Sequence, residues 1–128
     1  MKRKPVPKKT RLAIWEKYGR KCAYCGCDLE YKDMQVDHLK SVARARWERL
    51  DEETVNDESN LMPSCRMCNY YKDTANIEAF RRKLAETLAH TSVASFQARL
   101  AIKYNMIEIH EWDKLFWFEK YTDKHEDN

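Results

Sequence analysis

The chain has 128 residues, 43% of them hydrophobic and 35% charged, which suits one domain with a modest core and a well-solvated surface. No run approaches the length of a membrane span and the first residues lack a signal peptide's apolar stretch, so no membrane partner and a cytoplasmic location are expected. Net charge is only +3, yet residues 1–21 carry nine lysines and arginines against Glu16 alone. Such a front end suggests contact with a polyanion, the alternative being a solubilising tail.

Pro5 and Pro7 keep the start of the chain out of helix. From Thr10 onward Leu12, Ile14, Trp15 and Tyr18 recur at helical spacing, and Gly19 is the predicted C-cap. Cys22 to Gly26 reads as a tight knuckle, in which the glycine permits the turn. Residues 34–39 alternate as a strand that puts His38 on the opposite face from Asp37.

Residues 40–59 are charged and hold no glycine or proline. Within them 43–50 is predicted as a short helix carrying Arg44, Arg46, Trp47 and Arg49, and 51–58 has five acids and no base. Asn60 to Pro63 leads back to a second knuckle, Cys65 to Cys68, and a helix starts within or just after it. Residues 77–89 are helical, with Ile77, Phe80, Leu84 and Leu88 on one face. A further helix is predicted over 93–104, and two short strands over 106–109 and 115–118.

Four of the five cysteines form two C-x-x-C pairs, Cys22/Cys25 and Cys65/Cys68. The odd count and the pairing argue against a secreted disulfide framework. Four thiolates in two pairs are instead the ligand set of a closed, tetrahedral structural zinc site. The residues between Cys25 and Cys65 make a long loop, but closure entropy grows only slowly with length. Cys27 is left over, as a small and partly buried thiol.

Between the pairs lie residues of a different chemistry. Asp37 offers a hard oxygen suited to magnesium or manganese. The imidazole of His38 can act as a general base. Asn69 adds a carbonyl oxygen, and zinc at Cys68 would bring it back toward Asp37 and His38. Asn60 can bond two backbone groups at once, which suits it to pinning the loop that carries His38.

The joint order of Cys22-x-x-Cys25, Val36-Asp37-His38-Leu39, Asn60-Leu61-x-Pro63 and Cys65-x-x-Cys68-Asn69-x-x-Lys72 resembles the HNH nuclease family in its four-cysteine form. The first H of the family name falls on His38, the N on Asn60 and the last position on Asn69, an H-N-N variant. The resemblance spans residues 10–90, and Phe116 to Glu119 are similar to phage-type members. It implies an α+β fold, a small ββα-metal core stapled by a four-cysteine zinc site, with flanking helices. The expected organisation is a basic arm and N-terminal helix over 1–21, the core with its knuckles over 22–76, and C-terminal helices and short strands packing on it over 77–128.

The implied activity is metal-dependent hydrolysis of DNA phosphodiesters, by nicking or double-strand cleavage, in a bacterial or phage-infected cell. His38 would polarise the attacking water, while a magnesium or manganese ion at Asp37 and Asn69 would neutralise developing charge. Lys72, one helical turn beyond Asn69, would meet a phosphate. DNA would be held mainly through phosphate contacts, which add affinity without sequence information. The chain departs from the family in the stretch Lys40 to Arg44, in its long acidic loop before Asn60, and in Asn at the last metal position, a weaker ligand than His. These departures would slow turnover or make it depend on a protein partner. The alternative reading is a zinc-stapled HNH scaffold that binds DNA or protein as a regulator or inhibitor without catalysis. The presence of Asp37, His38, Asn60 and Asn69 together argues against that reading, since a pure scaffold needs only the cysteines. A third reading, a structural zinc domain of a larger assembly, leaves those four residues unexplained.

Overall fold

Pro7, extended at φ −59° and ψ 153°, ends the irregular start and caps helix α1, Lys8–Glu16. Helix α1 turns Ile14 inward and ties Trp15 Nε1 to the Leu29 carbonyl at 2.6 Å. The computed structural model describes residues 4–45, 47–88, 90 and 94–125. Lys2 and Arg3 of the arm, Arg46, and the expected helix limits Ala89 and Val93 lie outside the described residues.

The described chain forms two units, residues 1–77 with 116–128, and residues 78–115. In the first, strand β1 (Gln35–His38) pairs antiparallel with β2 (Leu61–Ser64), with Asp37 opposite Met62 and His38 opposite Leu61. Helix α4 (Arg66–Lys72) follows β2 directly, so the mixed α+β core has the order strand, strand, helix. Residues 39–60 join the strands and contain two short helices, α2 (Val42–Ala45) and α3 (Glu52–Val55). The acidic excursion is therefore ordered: Asp51 caps α3 by accepting from Thr54 N at 2.6 Å, and Val55 is buried beneath it. Of the helix expected over 43–50 the structure has α2, Val42–Ala45, and the left-handed φ of 57° at Arg49 bars helix at the end of the expected range.

The core of this unit is Ile14, Leu29, Met34 and Leu61, with Val6, Trp15, Val36 and Cys65 packed against it. Near its C-terminal end the chain returns to the first knuckle. Trp117 N and Phe118 N donate to the carbonyls of Tyr24 and Ala23 at 3.1 and 2.8 Å, and Phe116 meets Tyr24 edge to face. The strand predicted over 115–118 is instead the entry to a helix, Trp117–His125. Glu119 reaches back to Phe116 N at 2.9 Å, half of a capping box, and this starts the helix.

The second unit contains most of helix α5 (Ile77–Arg82), which widens into π-helical turns over Lys83–Leu88, and helix α6 (Phe96–Lys103), capped by Ser95 Oγ. Widening rotates the expected apolar face out of line: Phe80 is buried while Leu88 is exposed. Residues 106–109 form no strand. Their backbone has no ladder partner among the described residues, and Met106 N closes the turn after α6 by bonding the Ala101 carbonyl.

Candidate metal and hydrolytic site

Gly26, at φ +79°, bends the first knuckle so that its N–H meets the Cys22 carbonyl, while Cys22 N–H meets the Cys27 carbonyl. In the second knuckle Cys65 is the N-cap of α4, its Sγ accepting from Cys68 N at 3.4 Å. The Sγ atoms of Cys22, Cys25, Cys65 and Cys68 all lie within 4.8 Å of one another, and Cys25 and Cys65 are 3.9 Å apart. With Zn–S bonds of about 2.3 Å a tetrahedral site needs S···S edges of about 3.8 Å, so the four thiols fit zinc. Their protons are in competition. Hydrogen bonds from Cys25 and then Cys68 drive the Cys22 thiol far down, while bonding to Cys22 drives Cys25 and Cys68 up. A cation at the centre relieves that competition, since it binds thiolates. Cys27 lies outside the four, as expected, but it is exposed rather than partly buried.

The four-thiol cluster and β1 together place the other residues. Helix α4 lies against the face of β1 that carries Gln35 and Asp37, two residues apart and so on one side of the strand. Asn69 Nδ2 donates to Gln35 Oε1 at 2.5 Å, and Lys72 Nζ sits 3.0 Å from Asp37 Oδ2. Lys72 also donates to the His38 carbonyl at 3.1 Å, and Tyr24 Oη donates to Asp37 Oδ2 at 2.5 Å. Burial first, then the Asp37 carboxylate, push the Tyr24 phenol well above its ordinary value, so it remains a donor. The expectation that Lys72 meets a phosphate is corrected here. Its side chain is 0% exposed, because the face it shares with Asn69 is the inner one.

Asp37 keeps Oδ1 outside both of its contacts, and Asn69 keeps its amide oxygen, since the nitrogen is the atom bonded to Gln35. Two hard oxygens suit magnesium or manganese, although the Lys72 ammonium competes for the carboxylate.

His38 points to the other face of β1. Its Nε2 lies 3.0 Å from Asn56 Oδ1, and Nδ1 is the one buried side-chain nitrogen or oxygen among the described residues without a hydrogen-bond partner. Asn60 clamps the segment that follows. Its Oδ1 accepts from Lys40 N at 2.8 Å, and its Nδ2 donates to the carbonyls of Lys40 and Val55 at 2.9 and 2.7 Å. The structure thus brings Asp37, Asn69 and Lys72 to one side of β1 and the His38 ring to the other. Tyr24, Gln35 and Asn56 were not singled out by sequence reasoning. A tyrosine inside a knuckle was a usable signal; an asparagine in an acidic loop was not.

Of the basic front end, four members make side-chain contacts within the chain, two to backbone carbonyls and two in surface ion pairs. Arg11 bonds the Met34 carbonyl at 2.6 Å and Lys17 the Leu61 carbonyl at 3.3 Å, while Arg20 pairs with Glu16 and Lys21 with Asp28. Lys4, Lys8 and Lys9 are exposed. No helix among the described residues is long and apolar enough to cross a membrane.

Comparison with known proteins matches residues 22–74, the span from the first cysteine of the cluster to just past α4, to the family model described as HNH endonuclease. No curated protein and no solved structure matches the chain.

Proposed function

We propose, from the match of residues 22–74 to the family model described as HNH endonuclease, that the chain hydrolyses DNA phosphodiester bonds with His38 as the general base. The observation that carries this is the state of the His38 ring: one nitrogen is held by Asn56 and the other, Nδ1, is buried without a partner. In the reaction a water gives its proton to Nδ1 as its oxygen bonds to phosphorus. The bond to the 3′ oxygen breaks, and that oxygen takes a proton from solvent. Products carry 5′-phosphate and 3′-hydroxyl ends. A magnesium or manganese ion held by Asp37 and Asn69 would supply charge neutralisation at the leaving oxygen. Asn60 acts on position, by holding Lys40 at the exit of the His38 strand.

DNA is met through phosphates, with the exposed Lys4, Lys8 and Lys9 as the contacts the fold leaves open. A second reading is favoured by one observation. Asp37 and His38 are only 5% and 4% exposed, which suits a closed scaffold that binds DNA or a protein partner as a regulator.

The test is nicking of supercoiled plasmid by zinc-loaded chain with magnesium or manganese. Wild type cleaves, and His38→Ala loses about 10²–10⁴-fold, the usual worth of a general base, with zinc content and DNA binding retained. A wild-type chain inert with every divalent ion on duplex, nicked, branched and single-stranded DNA, yet able to bind DNA, would replace the nuclease with the regulator.

A further inference from the structure

The acidic excursion between β1 and β2 is one of the chain's departures from the family pattern, and it places one side chain against the proposed base. Asn56 follows α3 as its C-cap, with its N–H on the Glu52 carbonyl at 3.1 Å. Its amide cannot be reversed without loss, because Nδ2 donates to the same Glu52 carbonyl at 2.9 Å. Oδ1 is therefore the atom that faces His38 Nε2 at 3.0 Å, and it also accepts from Lys4 N at 3.3 Å. An amide oxygen only accepts, so Nε2 must carry the hydrogen. A neutral imidazole has one such hydrogen, which leaves the lone pair on Nδ1.

The spacing between ring and acceptor is itself held. Asn60 Nδ2 bonds the carbonyl of Lys40, just past His38, and the carbonyl of Val55, just before Asn56. One amide group thus spans the two chain segments that carry the ring and its partner. Buried Val55 and the Asp51 cap anchor the same turn from the other side.

We propose that Asn56 is the positioning residue of His38: it holds the ring as the Nε2–H tautomer and so directs Nδ1 to take the proton of the attacking water. The tautomer follows from geometry alone, whereas its use in catalysis rests on the reading of His38 as the base. The excursion is then a working part of the site, and Asn60 serves His38 by setting the distance to Asn56.

The experiment is nitrogen NMR of the His38 ring in zinc-loaded full chain labelled with ¹⁵N-histidine, at a pH where the ring is neutral, assigned by difference from His38→Gln. Wild type is expected to show Nε2–H alone. Asn56→Leu removes the acceptor at similar volume and should give a mixture of tautomers. Outer-shell partners of metal-bound histidines are worth about 10–100-fold, and by analogy kcat should fall by about that factor with KM little changed. Asn56→Asp restores an acceptor oxygen and should recover the single tautomer and most of kcat.

A wild-type ring protonated on Nδ1 overturns the proposal without any variant, as does an Asn56→Leu ring that stays wholly Nε2–H. Should Asn56→Leu fail to fold, as judged by zinc content, Asn56→Ala takes its place. The NMR result needs no turnover. An inert wild type with the expected tautomer shift in Asn56→Leu therefore defeats the nuclease reading while the assigned hydrogen bond stands, and an active chain with an unmoved tautomer defeats only the role of Asn56.

Discussion

Replacing Lys72 by Met keeps the length and apolar stem of the side chain and removes only the ammonium. That ammonium lies 3.0 Å from Asp37 Oδ2 and 3.1 Å from the His38 carbonyl, with the two side chains 0% and 5% exposed. At that separation and an effective dielectric constant of about 20, the attraction is about 5 kcal/mol before desolvation is counted. Breaking a buried pair by deleting one partner typically costs about 3–5 kcal/mol, because the remaining charge stays out of water. Tyr24 still donates to Asp37 in the variant, which argues for the lower end, about 3 kcal/mol. Urea unfolding in the presence of zinc, followed by tryptophan fluorescence, should then show a midpoint lowered by about 1.5 M for a slope of about 2 kcal/mol/M. Adding Asp37→Asn removes the stranded charge and should recover at least half of the loss, the signature of coupled sites. A midpoint that moves by less than about 0.5 M, equivalent to about 1 kcal/mol at that slope, would refute the reasoning. So would intact stability combined with a steep loss of DNA affinity, which would return Lys72 to the phosphate-binding role that its burial denies.

Elemental analysis should find one zinc per chain, with Cys22→Ser or Cys65→Ser insoluble or unfolded because site formation supplies folding energy, while Cys27→Ser keeps the metal. Soluble, folded wild-type chain without zinc would sink this. Gly26→Ala should destabilise the chain by at least about 1–2 kcal/mol, the cost of a side chain in the left-handed region. The added Cβ would also stand 3.2–3.3 Å from Trp117, so thermal unfolding and zinc retention should both suffer; an unchanged melting temperature would contradict it.

The chemistry-bearing residues were legible because they sit in short motifs whose spacing is restrictive, and the knuckles are built as that spacing implies. Strand β1 was legible through alternation. Strand β2 was not: Leu61 to Ser64 are all buried, so no alternation remains to betray a strand, and Pro63 reads against one. Helical spacing placed Lys72 on the face of Asn69, but periodicity says which residues share a face and not which way that face turns. Here it turns toward Asp37. Asn56 was out of reach for a deeper reason. Its role depends on where α3 ends relative to a strand whose ring it meets eighteen positions away, and nothing local encodes that distance.

The return of Phe116 to Phe118 to the first knuckle has a consequence for synthesis of the chain. Their backbone bonds to Tyr24 and Ala23, and the Trp117 ring against Gly26, join a unit whose other members end at Ile77. At about 5–20 residues per second the ribosome needs about 2–8 s to supply the intervening stretch. Through that interval both cysteine pairs are already made while the contacts of residues 116–118 to Ala23, Tyr24 and Gly26 are still absent. Chains stalled with the first knuckle outside the ribosome but residue 116 not yet made should therefore hold that knuckle less firmly, read as faster alkylation of Cys22, which is buried in the finished protein. Zinc captured early would act as the placeholder that keeps the knuckle in shape until these contacts form.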